Sequence, residues 1–89
     1  MSQSAGQNDL AQLRQILADR FDEGELRTFC FDLQLDYDDL LGTSKLDKAR
    51  ELVAYCERHN QVYGIIDTGK RLRPDIDWDQ VAVGLAAKE

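Results

Sequence analysis

Apolar residues recur along this chain at the three- and four-residue intervals of helices, and no stretch alternates apolar with polar long enough to form a strand. Leu10, Leu13, Ile16, Leu17 and Phe21 share one helical face, and Asn8 or Asp9 ahead of them is a suitable cap, so a first helix is expected from about residue 8 to Arg20. Asp22 and Glu25 then have capping-box spacing, in which a short acceptor caps the first turn and the later acid reaches back. Leu26, Phe29, Cys30 and Leu33 follow as a single apolar stripe, which predicts a second helix over about 23–33. Asp36 restarts a short helix over about 37–41, with Tyr37 and Leu40 inward, Asp38 and Asp39 near its positive end, and Gly42 stopping it.

Ser44 and Asp47 form a further cap, launching the longest expected helix, 45 to about 59, whose inward face is Leu46, Ala49, Leu52, Val53 and Cys56. A fifth segment over 62–72 places Val62, Ile65, Ile66, Gly69 and Leu72 at helical spacing. It ends before Arg73 because the residue preceding Pro74 is pushed out of the helical region. Asp77 caps a last helix, about 78–87, with Trp78, Val81, Ala82 and Leu85 facing in. The expected fold class is therefore all-α, a compact bundle of five or six short helices around one core. Residues 1–7 read as a disordered lead rich in Ser, Gln and Gly, and residues 8–89 as a single domain.

Composition narrows what such a bundle does. At 89 residues and 43% hydrophobic content the chain holds one adequate core and no more. The net charge of −6 disfavours general binding to nucleic acid or anionic membranes, which need a cationic surface. No apolar run approaches the roughly 20 residues that span a bilayer, and the N-terminal residues lack the basic start and apolar centre of a secretory signal. Cys30 and Cys56 sit on apolar helix stripes, the pattern of buried thiols in a reducing compartment rather than a disulfide, so a cytoplasmic location is expected.

Four constellations invite chemistry and none sustains it. Gly64 to Lys70 reproduces the spacing of a phosphate-binding loop, but Arg71 stands where Ser or Thr ligates magnesium, and a charged helix end precedes it instead of a buried strand. Asp36, Asp38 and Asp39 lack the ligand and glycine positions of a calcium loop. Cys56 and His59 lie close on one helix, yet zinc needs two further nitrogen or sulfur ligands, and a cysteine nucleophile needs a base and an oxyanion donor in a cleft. Trp78 has its own apolar neighbours in Pro74 and Ile76 and reads as core-closing. No catalytic residue, cofactor or metal is assigned.

Charge is distributed unevenly. Residues 1–42 hold three basic and nine acidic side chains, residues 43–74 seven and four, and the remainder one and four. This suggests an acidic surface at Asp22, Glu23, Asp36, Asp38 and Asp39, and a basic surface at Lys45, Lys48, Arg50, Lys70, Arg71 and Arg73. Two complementary patches on different faces favour a head-to-tail contact, which closes into rings or propagates.

The blocks Leu13-x-x-Ile16-Leu17-x-x-x-Phe21, ELRTFCFDL, DYDDL, KARELVAYCER and LRPDIDW occur in that order from about Leu10 to Trp78, most of the chain. In this it resembles the bacterial effector-associated domains, also called bacterial death-like domains. It departs from their pattern at Gly64 and Gly69, where helix formers are expected. The resemblance implies a death-fold-like bundle that binds similar domains, in the same or another protein, attached to or encoded beside NTPases, proteases and other effectors of immune-type conflict systems. The leading expectation is a non-enzymatic adaptor that recruits or clusters effectors like-with-like, with homo-oligomers among its possible assemblies. The alternative is a regulatory sensor that binds a small ligand or foreign protein directly, which needs a concave apolar cleft near Trp78 or Tyr63.

Overall fold

The computed structural model describes the backbone of residues 5–87 and the side chains of residues 10–83. Among these residues the chain forms α1 (Ala5–Arg20), α2 (Glu23–Asp32), a 3-10 turn (Tyr37–Asp39), α3 (Lys45–Arg58), α4 (Val62–Leu72) and α5 (Trp78–Ala87), and no strand. The all-α bundle expected from the periodicity is what forms.

Three helices start on a side-chain cap, and two end in a shared backbone closure. The capping box at α2 is complete: the Glu25 amide donates to Asp22 Oδ1 at 2.7 Å and the Asp22 amide to Glu25 Oε1 at 3.0 Å. Ser44 Oγ accepts from the Asp47 amide at 3.0 Å to start α3, and Asp77 Oδ1 accepts from the Gln80 amide at 3.2 Å to start α5. Two helices end in the same way. The Leu35 amide reaches back to the Cys30 carbonyl at 2.9 Å, and the Gln61 amide to the Cys56 carbonyl at 2.7 Å. Between them Gln34 (φ 65°) and Asn60 (φ 58°) take the left-handed conformation that usually falls to glycine, the Schellman closure.

α1 packs against both α3 and α5, α2 lies on α4, and α4 also touches α3 and α5. The junction of these contacts is aromatic. The Phe21 ring meets Phe29 edge-on at 5.0 Å between centroids and lies 6.1 Å from Trp78. Trp78 is buried, and its indole N–H is satisfied by the Arg73 carbonyl at 2.8 Å. It closes the core as its apolar neighbours predict.

Several boundaries and faces differ from the sequence expectation. α1 begins at Ala5, ahead of Asn8 and Asp9, so these two lie inside the helix and do not cap it. Met1–Ser4 of the expected lead, and the side chain of Leu85 expected to face inward, lie outside the described residues. The helix expected at 37–41 is a single 3-10 turn, because the chain leaves helical geometry at Leu40 and runs extended toward Gly42 (φ 88°). Leu46, expected on the inner face of α3, is 43% exposed, and Lys48, expected outside, is buried.

Gly64 and Gly69 do not interrupt α4, which is regular throughout. At Gly69 the Trp78 ring lies so close to the helix that a Cβ would run into it. At Gly64 the nearest obstacle is the end of the Leu33 side chain, which can rotate away. Gly69→Ala is therefore expected to destabilise the fold by about 1–3 kcal/mol despite its better helix propensity. Gly64→Ala is expected to stay within about 1 kcal/mol of the parent. Urea melts of the two variants check the contrast, and equal midpoints would refute it.

Candidate functional site

The region where α2, the 3-10 turn and α3 meet is held from inside. Lys48 extends from α3 beneath the turn and donates to the carbonyl oxygens of Tyr37 (3.2 Å) and Leu40 (2.6 Å), with its ammonium 5.2 Å from the Tyr37 ring centroid. A buried ammonium needs such acceptors, and the turn has carbonyls left over at its end. Lys48 is thus corrected from the expected basic surface to an internal clip. Outside the turn, Arg27 lies 4.5 Å from the same ring and pairs with Asp38 and Glu23, each at 3.2 Å. The hydrogen bond to Asp38, and after it that to Glu23, raises the Arg27 pKa above its ordinary value against the opposing effect of burial. Burial raises the Tyr37 phenol. Asp36 caps the turn through the Asp38 amide at 3.0 Å.

Beside this corner an open groove of about 820 Å³ runs along α2 and α3. Its two most exposed apolar side chains are Phe31 (82%) and Leu41 (72%), with Leu35 and Tyr55 half-buried in its walls. Asp36, Asp39 and Glu51 stand along it, opposed by Arg27 and Arg58. The carboxylates of Asp39 and Glu51 have no ion-pair or hydrogen-bond partner among the described residues.

The expected acidic and basic surfaces do not separate as their positions along the chain suggest. Arg71 pairs with Asp32, to which Thr68 also donates at 3.2 Å, and Arg73 pairs with Glu25 at 2.9 Å while its Nε donates to the Arg20 carbonyl at 3.1 Å. The packing of α2 on α4 brings these charges together. Lys70 faces Asp79 at 3.3 Å, Arg50 faces Asp47 at 3.3 Å, and Lys45 donates to the Phe21 carbonyl at 2.9 Å. Of the acidic set, Glu23 and Asp38 share Arg27, Asp22 and Asp36 cap helical turns, and Asp39 alone projects unengaged onto the groove.

Phe31 and Leu41 were not among the sequence candidates. Their signal was available: Phe31 follows Cys30 directly and falls off the buried stripe, and Leu41 is the second of two leucines just before the turn glycine. The hollow beside Trp78 is not an apolar cleft. Trp78 is buried beneath it, and Lys70, Asp75, Asp77 and Asp79 form its charged rim. The phosphate-loop spacing at 64–70 lies inside regular α4, and His59 is exposed and stacks on Tyr55 at 4.3 Å between centroids.

A family model described as effector-associated domain 7 matches residues 13–74, more than half of the chain. The chain belongs to the effector-associated domain 7 family. The match spans α1 from Leu13 through α4 and so contains the whole groove. No curated protein and no solved structure matches the chain. Effector-associated domains are generally non-catalytic modules.

Two consequences can be measured. Lys48→Met keeps the apolar stem but abandons two buried carbonyls, and is expected to lower stability by about 2 kcal/mol. Lys45→Met, which gives up one part-buried carbonyl bond instead of two buried ones, is expected to cost less than half as much, and a urea melt of each resolves the difference. Burial pushes the Cys30 thiol from 9.0 up to about 11 and Cys56 up to about 12. Because the folded values are raised, this stability is complete below pH 9.0 and is lost as pH rises toward 11 and 12, where the unfolded chain ionises first. Iodoacetamide at about pH 8 is accordingly expected to label neither thiol until denaturant is added, since only the thiolate reacts.

Proposed function

We propose that this domain is a non-enzymatic adaptor that recruits or clusters an effector by binding another domain of its own kind, within an immune-type conflict system of the bacterial cytoplasm. The observation that carries this reading is the pair of large apolar side chains, Phe31 and Leu41, held in solvent by a corner whose backbone is clipped from within. A chain this short gains nothing in stability from two such residues outside its core, and adjoining exposed apolar groups mark association surfaces. Family membership is consistent with this reading, since an effector-associated domain is generally a non-catalytic module. No helix among the described residues is long and apolar enough to cross a membrane.

Exposed ion pairs contribute about 0–1 kcal/mol each, so apolar contact must supply most of the affinity and charge most of the orientation. The chain titrated into separately purified effector-associated domains from proteases and NTPases, followed by light scattering, is expected to form a defined complex with at least one. If every pairing remains a mixture of free monomers, the adaptor reading fails.

A further inference from the structure

We propose that the groove between Phe31 and Leu41 receives a segment of a different polypeptide, one that presents adjoining apolar side chains flanked by Lys or Arg. The proposal rests on the adaptor reading and names the chemistry of the partner. The groove is an open trough, unlike the enclosed sites that take up most of a small molecule's surface. Its shape suits a helix or extended segment laid along α2 and α3, with apolar anchors against Phe31, Leu35, Leu41 and Tyr55.

The sign of the rim selects the flanking residues. Arg27 is already shared by Asp38 and Glu23, which leaves Asp36, Asp39 and Glu51 opposed only by Arg58. A partner with cationic flanks gains at this rim and one with anionic flanks is repelled.

That same requirement excludes a second copy of this chain. Among the described residues, Lys45 and Lys48 donate to carbonyls. Arg20, Arg27, Arg50, Lys70, Arg71 and Arg73 face carboxylates. Arg14 and Arg58 remain, and Arg58 stands on the groove's own rim. Among the described residues no surface therefore joins exposed apolar groups to uncommitted cations, and the complement is assigned to another sequence.

Selection of a phage-displayed random-peptide library on the whole chain tests this, with the Phe31→Ser, Leu41→Ser double variant as counter-target. Both side chains are exposed, so the variant is expected to keep the parent's melting curve. Enriched peptides are expected to combine two apolar residues with Lys or Arg, to shift the amide resonances of Phe31, Leu35, Leu41 and Tyr55, and to bind the double variant at least about tenfold more weakly. Asp39→Lys is expected to weaken them by several fold, with the difference shrinking as salt is raised. Acidic peptides, resonance shifts centred elsewhere, or no enrichment would overturn the assignment. So would sedimentation showing a wild-type dimer that the double variant abolishes, because the groove would then be a self-contact. If the double variant still joins the effector-associated domain that the wild type binds, the groove assignment is lost while the adaptor reading stands. If the wild type binds no such domain, it is the adaptor reading that falls.

Discussion

The packing of Phe21 against Trp78 is the contact on which the rest of this fold depends. Phe21 directly follows α1 and Trp78 begins α5, with Phe29 of α2 set edge-on to the first ring and Gly69 of α4 left without a side chain so that the second can lie close. The Arg73 guanidinium lies 5.6 Å from the Phe21 ring centroid, and the carbonyl of the same residue satisfies the Trp78 indole. Four helices and the one proline-terminated turn are thereby tied at a single point. A small core has few ways to enforce a unique arrangement, and large rings of fixed shape with satisfied polar edges are among the best.

Charge follows from that arrangement. Along the chain the acids gather early and the bases gather in the third quarter, which suggests opposite faces. Once the rings bring α2 onto α4, Asp32 and Glu25 meet Arg71 and Arg73, and the apparent polarity is largely neutralised within the molecule. These half-exposed pairs add little stability one by one. Their larger effect is subtractive, because they remove cations from the set that could engage another protein and leave the acids along the groove as the uncompensated ones.

The helices, the starts of α2, α3 and α5 and most of the buried faces were legible in the sequence because each has a local cause: a capping side chain ahead of the first turn, a stripe of period 3.6, a proline beyond the last turn. Trp78 was legible for the same reason, since its neighbours in sequence are also its neighbours in space. Lys48 was not. Its position on α3, four residues before Leu52, is at the edge of the inner face, where a charged side chain ordinarily turns out to solvent, and only the end of the 3-10 turn, brought over it by tertiary packing, supplies the carbonyls that make burial tolerable. Leu46 was misread because the inner face of α3 is narrower than its apolar stripe. The groove is not legible from the pattern of acids and bases, because it is built on two hydrophobic residues whose only unusual property is their exposure in the fold. Gln34 likewise gave no glycine to announce a left-handed helix end.

Lys48 and the Phe21–Trp78 cluster hold the corner in shape, while Phe31, Asp39, Leu41 and Glu51 give the corner its outward chemistry, and the two sets share no residue. Such a division lets partner choice diverge between paralogues while the scaffold beneath is inherited unchanged. Several copies of this bundle could then operate side by side in one cell, each insulated from its neighbours by a handful of surface substitutions that leave folding untouched.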